Sequence, residues 1–301
     1  MNSSISMDNN FTYKFLTDNK NPKGIIHISH GKGEHMRRYS WLINKLNRDG
    51  YHVISQDHRG HGMWVNNGYK KGKFAESDGW EIITNDLVNL IKETNKKYPL
   101  LKQYLFAHSM GSWVGLSAIM KGLPIRGLIL SGSTKQPNLL RFIVYLVVKI
   151  STLINGKDAF NPIMDFISNN SFNKNFKPKR TKDDWISSDP DNVIDYFKDD
   201  LCGFEVTNSL WSDFLIVGSR KISKIDNYSN VDKTLPVILI SGSKDPFSSS
   251  GKGIRDLNKM LSRIFDNVEN IVFENDRHEV FSGLQKDKAY EKLLDFIENI
   301  K

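Results

Sequence analysis

Short apolar runs alternate with stretches of helical periodicity along most of the chain. The runs are rich in isoleucine, valine and leucine, and we predict them as buried strands at residues 24–29, 51–56, 103–108, 127–132, 237–242 and 270–275. Apolar residues recur every three or four positions elsewhere, which predicts helices at residues 39–48, 80–97, 110–121 and 286–300. This alternation predicts an α/β fold, with a mostly parallel central sheet flanked by helices.

The alternation stops between residues 134 and 230. This stretch is helix-like, contains several prolines and holds no convincing core strand. We therefore predict a helical cap or lid at 134–230, inserted into a core formed by 1–133 and 231–301. Within the cap, residues 139–154 are apolar and contain only two charges. They are fewer than the ~20 residues of a membrane span, so we expect them to form cap core, line an acyl tunnel or touch a lipid surface.

Composition narrows the class of protein. Hydrophobic residues make up 39% of 301 residues, which is enough for a sizeable core. The single Cys202 cannot form an intrachain disulfide, and the N-terminus lacks the pattern of a signal peptide. We therefore expect a cytoplasmic protein. The net charge is +8, but the basic residues are scattered and no nucleic-acid motif is present, so we predict no nucleic-acid partner. The sequence does not determine the oligomeric state.

One serine lies between a predicted strand and a predicted helix, in the sequence Ala107-His108-Ser109-Met110-Gly111. A serine nucleophile held on a sharp strand-to-helix turn needs small residues two positions before and after it. Ala107 and Gly111 meet this condition, although glycine is usual at the first position. Ser109 alone could also be a helix N-cap, which serine favours. The acid and histidine that follow it in the chain favour the interpretation of Ser109 as a nucleophile.

The order of histidines and acids along the chain selects these partners. Where a serine nucleophile occupies such a turn, an acid and then a histidine follow it. Only His278 follows Ser109; the other histidines are at 27, 30, 35, 52, 58, 61 and 108. Asp245 lies three residues past the predicted strand that ends at Gly242, where its carboxylate would orient the imidazole. Rival acids lie in or near a predicted helix, or too close to the histidine: Asp256, Asp266 and Asp276.

Glycines flank Lys32 in the loop after the first predicted strand. An oxyanion needs two preorganised N–H donors, one from the residue after the nucleophile and one from this loop. We assign them to the backbone N–H groups of Met110 and Lys32. The residues predicted to shape the site around these groups are His30, Gly31, Gly33, Ala107, His108 and Gly111. The loop matches neither a phosphate-binding nor a zinc motif, and we predict no metal and no cofactor.

Five segments together carry a family resemblance. They read HGKGEHMRRY at 30–39, DHRGHG at 57–62, AHSMG at 107–111, SGSKDP at 241–246 and RHE at 277–279. In this order the chain resembles the monoacylglycerol lipase and lysophospholipase branch of the α/β-hydrolases, which is grouped with serine aminopeptidase-like hydrolases. The departures are Ala107 at the nucleophile turn and Lys32, where a small or apolar residue is more usual.

The resemblance implies an α/β-hydrolase fold with a cap, and a serine hydrolase that cleaves monoacyl esters through an acyl-enzyme. The expected partner is a small-molecule ester, an acyl lipid such as a monoacylglycerol or lysophospholipid, with weak membrane contact through residues 139–154. The resemblance gives the DHRGHG segment a structural role beside the site. Two alternatives stay open: an esterase or aminopeptidase-like hydrolase with a more polar substrate, and a non-catalytic binding protein built on the same fold.

Overall fold

The computed structural model of the protein describes Ser6–Met7 and residues 11–300. Residues 1–5, 8–10 and 301 lie outside the described residues, and with them most of the N-terminal stretch that we expect to lack a signal peptide. The strands are β1 (Ser6–Met7), β2 (Thr12–Phe15), β3 (Gly24–Ser29), β4 (Tyr51–Gln56), β5 (Gln103–His108), β6 (Gly127–Ser131), β7 (Val237–Gly242) and β8 (Val268–Phe273).

Twelve α-helices lie between and after these strands in the described part of the chain. They are α1 (Ser40–Arg48), α2 (Gly62–Asn66), α3 (Gly79–Lys97), α4 (Met110–Ile119), α5 (Asn138–Asn155), α6 (Pro162–Asp165), α7 (Ser171–Asn173), α8 (Pro190–Lys198), α9 (Asn208–Trp211), α10 (Ser219–Ser223), α11 (Lys252–Leu261) and α12 (Lys286–Glu298). Short 3₁₀ turns occur at Met36–Tyr39, Ile225–Tyr228 and Val280–Ser282, and wider π turns at Phe166–Asn170 and Ser212–Gly218.

The eight strands form one sheet in the order β1-β2-β4-β3-β5-β6-β7-β8. The strands from β4 to β8 in this order pair in parallel, and the N-terminal strands β1 and β2 pair antiparallel at one edge. Every residue of β3, β5, β6 and β7 is buried, as expected of parallel strands covered on both faces. The carboxyl ends of these strands therefore meet along one edge of a rigid sheet.

Two hydrophobic clusters cover the two faces of the sheet. One contains apolar residues of α3, α4 and α11, and the other contains apolar residues of α1 and α12. The predicted α/β class and mostly parallel sheet are confirmed. Five predicted strands agree with the structure to within one residue, whereas β8 begins and ends two residues earlier than predicted. Strands β1 and β2 were not predicted, because both are too short to show a pattern; β2 is placed by pairing with β4, and β1 by pairing with β2.

The residues between β6 and β7 hold helices α5 to α10. Both halves of this stretch contribute to the main core, since Val144 and Leu210 join the same cluster as Trp113. The first half lies over the carboxyl edge of the sheet. Its helix α5 is the one helix of the described chain that is long and apolar enough to cross a membrane, by length and composition alone, and only 17% of it is buried.

Candidate active site

A cavity of about 210 Å³ lies at the carboxyl edge of the sheet, beneath the residues inserted between β6 and β7. Its lining brings together the loops that follow β3, β5, β7 and β8 with apolar side chains of the insertion. The lining includes Gly31, Lys32, Ser109, Trp185, Phe247 and His278. The predicted nucleophile, the predicted base and one predicted oxyanion donor thus line the same cavity.

Ser109 occupies a sharp turn between β5 and α4. Its φ of 52° and ψ of −122° are rarely adopted by a residue with a side chain. The turn is held by the Ser109 N–H, which donates to the Ser131 carbonyl at 2.9 Å, and by the Ser112 N–H, which donates to the Ser109 carbonyl at 3.0 Å. The strain presents the hydroxyl to the cavity at the start of a helix, as in the nucleophile elbow of hydrolases.

The residues on either side of the turn explain its composition. A Cβ on Gly111 would overlap the carbonyl oxygens of Ser29 and His30, so no larger residue fits there. On the other side, Ala107 is fully buried and faces Gly115 of α4. A Cβ on Gly115 would lie 3.1 Å from the Ala107 Cβ. The missing side chain at Gly115 therefore makes room for alanine where glycine is usual.

His278 lies on the loop after β8 and hydrogen-bonds to Asp245 on the loop after β7. Its Nδ1 lies 3.0 Å from the Asp245 Oδ2, and both side chains are buried. Among the described residues no hydrogen bond uses the Nε2 of His278, which is left for a group in the cavity. The rival Asp276 instead accepts from the Ser188 hydroxyl, and Asp256 lies within α11.

The surroundings of His278 set its protonation. Burial alone would lower its pKa, but the Asp245 carboxylate and its hydrogen bond raise the pKa above the ordinary value. The ring packs against Trp185 and His108, with centroid distances of 5.0 and 4.8 Å. Burial lowers the pKa of His108 to about 3, so this neighbour is neutral and adds no competing charge.

Gly132, just after β6, packs directly against the candidate base. Its φ is +56°, and a Cβ there would lie 2.9 Å from the His278 carbonyl oxygen and 3.1 Å from the His278 Cε1. Gly132 is not among the site residues predicted from the sequence. The available signal is the SGS sequence at the end of a predicted strand, which is too common to identify a site.

The loop at residues 30–35, which we call the oxyanion loop, runs beside the nucleophile. A Cβ on Gly31 would lie 3.1 Å from the Ser109 Cβ, so this backbone passes as close as a glycine allows. The Gly31 N–H donates to the Glu34 carboxylate. No backbone hydrogen bond uses the N–H of Lys32 or Met110 among the described residues. Two backbone donors without a protein acceptor therefore flank Ser109.

His30 fixes the direction of the peptide that carries the Lys32 N–H. Its ring lies 2.8 Å from the Gly31 carbonyl through Nδ1, while Nε2 accepts from the His58 N–H at 2.8 Å. Burial lowers the pKa of His30, so the ring is neutral, with Nδ1 as the donor. In a trans peptide the carbonyl and the N–H point in opposite directions. Holding the Gly31 carbonyl thus aims the Lys32 N–H away from His30.

The DHRGHG segment contributes hydrogen bonds around this loop and no group to the cavity lining. The Asp57 carboxylate accepts from the Tyr13 hydroxyl at 2.6 Å and from the N–H groups of Met36 and Met63, both at 2.8 Å. These contacts join β2, the oxyanion-loop region and α2. The structural role expected for this segment agrees with them.

The side chain of Lys32 is partly buried at the cavity wall. Its ammonium lies 4.9 Å from the centre of the Trp211 ring. Burial lowers its pKa, and the carboxylates of Asp165 and Asp183 partly offset this. The cation is thus accommodated by an aromatic face and by two acids of the inserted residues.

Three side chains in the described part of the chain lie close enough together to act as ligands of a metal ion. His35, Asp199 and Cys202 place ligand atoms within 4.8 Å of one another. In this structure His35 Nε2 is already hydrogen-bonded to the Asp199 carboxylate at 2.8 Å. Burial raises the pKa of the Cys202 thiol, which keeps it protonated and a poor ligand. The group acts here as a hydrogen-bonded link between the oxyanion loop and the insertion.

The chain is similar in sequence to known hydrolases. Residues 20–285 match the family model described as "Serine aminopeptidase, S33". The chain is 26% identical over 251 residues to a monoglyceride lipase homolog of Monkeypox virus, covering 82% of this chain and 80% of that one. It is 33% identical to the monoglyceride lipase of Rattus norvegicus over 97 residues, which is 32% of this chain and 30% of the relative.

Solved structures share the whole architecture. A thermostable carboxyl esterase from Bacillus coagulans, solved in complex with glycerol, superimposes with a TM-score of 0.85 at 28% identity. The match covers 96% of this chain and 93% of the esterase. The fold is therefore that of the α/β-hydrolases.

Proposed function

Since the chain belongs to the serine aminopeptidase S33 family of α/β-hydrolases, we propose that it hydrolyses monoacyl esters of lipid type, monoacylglycerols or lysophospholipids. The proposal assigns Ser109 as nucleophile, His278 as general base and Asp245 as the acid that orients it. The observation that carries it is a cavity lined by Ser109, by Lys32 and by a His278 ring that is bonded to Asp245, with the unused backbone N–H of Met110 directly after Ser109.

The proposed reaction has two steps. The Ser109 oxygen attacks the ester carbonyl carbon while His278 Nε2 takes the hydroxyl proton, and the N–H groups of Lys32 and Met110 bind the oxyanion. The bond to the alcohol breaks, and His278 returns the proton to the leaving oxygen. Water then attacks the acyl-enzyme with the same assistance, which releases the carboxylic acid and restores Ser109.

The apolar lining of the cavity supports a substrate with a long acyl chain. Apolar side chains of the insertion dominate the wall opposite Ser109, namely Leu140, Val144, Met164, Ile167, Phe172, Phe214 and Leu215. An aliphatic chain that fills this space gains roughly 0.8 kcal/mol for each buried CH₂ group. The names of the viral, mammalian and bacterial relatives agree with an ester of this kind.

The test has two parts. A fluorophosphonate probe should label the wild type at Ser109 and leave Ser109→Ala unlabelled, and a folded wild-type protein that does not react refutes the catalytic assignment. A panel of monoacylglycerols, lysophospholipids, p-nitrophenyl esters and aminoacyl amides then separates the substrate classes. Faster turnover of the amides than of the lipid esters would favour the aminopeptidase-like alternative.

We also propose that α5 dips into a lipid surface. Its outward side chains Phe142, Leu146 and Ile150 follow a spacing of four residues and are 58%, 41% and 55% exposed. An apolar helix face beside a cavity for acyl chains is suited to contact with lipid. Arg141 and Lys149 of the same helix favour anionic headgroups. By length and composition α5 is also apolar enough to cross a membrane. Because its Leu140 and Val144 line the cavity, we propose contact with a lipid surface and not a span.

Replacing these three residues with serine tests the lipid contact, because none of them lines the cavity. Hydrolysis of aggregated long-chain substrate should fall, while hydrolysis of a soluble short-chain ester stays near normal. Leu100→Ser is the control, since Leu100 is 94% exposed on a loop before β5, at the opposite end of the strand from Ser109. Equal losses on both substrates would show that α5 is ordinary packing.

A further inference from the structure

Residues 183–203, which we call the clamp segment, contact both loops that carry the candidate catalytic groups. The segment centres on α8, which begins with the N-cap Asp189 and with Pro190 at its first turn. Ile186, Val193 and Cys202 form a small hydrophobic cluster of its own with Tyr196. The segment is therefore a packed unit rather than a loose connection.

On one side, the clamp segment holds the oxyanion loop. The Gly33 carbonyl accepts from the Tyr196 hydroxyl at 3.0 Å and from the Gly203 N–H at 2.9 Å. Two residues further on, His35 Nε2 donates to the Asp199 carboxylate at 2.8 Å. Together with the bond from His30 to the Gly31 carbonyl, these contacts fix the backbone immediately before and after Lys32.

On the other side, the same segment holds the loop at 275–279, which carries His278. The Glu279 N–H donates to the Ile186 carbonyl at 2.6 Å, and the Glu279 carboxylate accepts from Asn192 at 2.8 Å. The Arg277 guanidinium donates to the Ser187 carbonyl at 2.9 Å. The residues directly before and after His278 are thus both bonded to the clamp segment.

We propose that the clamp segment sets the distance between the oxyanion donor and the base, and that Tyr196 is a positioning residue for the Lys32 N–H. This inference rests on the proposed serine hydrolase function. Loops hold a catalytic geometry only when their surroundings fix it, and the tolerance is about 0.5 Å. Tyr196 bonds to the carbonyl one residue past Lys32. Losing that bond leaves the carbonyl held by the Gly203 N–H alone, which loosens the position of the Lys32 N–H without removing this donor.

The experiment compares Tyr196→Phe with Tyr228→Phe. The control tyrosine is also buried in the insertion and also donates to a backbone carbonyl, that of Ile222 at 3.0 Å, but it lies outside the cavity. Tyr196→Phe should lower kcat on a soluble ester by about 10-fold with KM changed less than about 3-fold, because losing an oxyanion donor outright costs about 10²–10³. Because each variant loses one buried hydrogen bond, Tyr228→Phe and Tyr196→Phe should lower Tm by similar amounts, but Tyr228→Phe should leave kcat unchanged.

A second measurement separates positioning from stability. A boronic acid forms a tetrahedral adduct with a serine nucleophile and places an oxygen against the oxyanion donors. Its inhibition constant should weaken in Tyr196→Phe by about the same factor as kcat/KM falls, and in Asp199→Asn by a smaller factor. Unchanged boronate affinity, or equal kcat losses in Tyr196→Phe and Tyr228→Phe, would overturn the proposal. A wild type that is inactive and unlabelled by fluorophosphonate would instead refute the proposed function.

Discussion

Gly132→Ala should lower activity by moving the base. The new Cβ would lie 2.9 Å from the His278 carbonyl oxygen and 3.1 Å from its Cε1. Carbon atoms in contact prefer about 3.5–4.0 Å, so we expect His278 to shift by about 0.5 Å, together with His108, whose Cε1 would lie 2.9 Å from the same Cβ. A misplacement of about 1 Å costs about 10²-fold in rate, and we therefore expect kcat to fall by about 10-fold.

Gly122→Ala is the matched control for this variant. Gly122 also has a positive φ, of +70°, but a Cβ there meets nothing within 4 Å. Both variants bear the left-handed strain of about 1–2 kcal/mol. With an unfolding entropy of about 2.1 cal/mol/K per residue, each should lose about 2–3 °C in Tm. Steady-state kinetics on a soluble ester and thermal unfolding check both effects. If Gly132→Ala retains full kcat, or Gly122→Ala loses as much, steric displacement of His278 is the wrong explanation.

Three further predictions concern charge and packing. Because Asp245 raises the pKa of His278 above its ordinary 6.5 and the neutral ring is the base, wild-type kcat/KM should rise with pH through a value above 6.5. Asp245→Asn should move this rise to lower pH and cut kcat by about 10⁴. A pH profile that does not move in the variant would exclude Asp245 as the partner of His278. Burial raises the pKa of Asp183 from 3.8 to about 6, so its charge lowers the free energy of unfolding as pH rises from 3.8 to about 6, and the full cost is present above that pH. Asp183→Asn should therefore raise the free energy of unfolding at pH 8 by about 3 kcal/mol and by less at pH 5 in denaturant titrations, and a gain independent of pH would contradict this. Gly115→Ala should destabilise the wild type but should not destabilise a protein that already carries Ala107→Gly. A double-mutant cycle should give a coupling energy of about 1 kcal/mol. Additive effects would show that the two positions do not share space.

The sequence predicted the central strands well because each is a continuous apolar run between helices. It placed Ser109, Asp245 and His278 in the loops that follow three of these strands, and the structure has them after β5, β7 and β8. Their catalytic roles stay predictions. The edge strands were different: β2 has only four residues, too few for its alternation of polar and aromatic side chains to identify a strand, and pairing with β4 attaches it to the parallel strands.

The residues that sequence analysis missed act through long-range contacts. Tyr196 lies 163 residues from Gly33, whose carbonyl it binds, and no local pattern distinguishes it from other tyrosines. The same holds for Trp185, which touches His278 only because the clamp segment folds back over the β8 loop. The cap boundaries 134–230 remain a prediction. Within them, α9 and α10 pack in the main core: α10 contacts α4, and Trp211 of α9 lines the cavity.

The contact between Trp185 and His278 has an optical consequence. Their ring centroids lie 5.0 Å apart, close enough for contact quenching of the indole. An imidazolium quenches indole fluorescence more strongly than a neutral imidazole does. The emission of Trp185 should therefore brighten as His278 loses its proton, in the resting protein and without any substrate. With the other tryptophans replaced by phenylalanine, this single fluorophore would report the titration of the histidine directly.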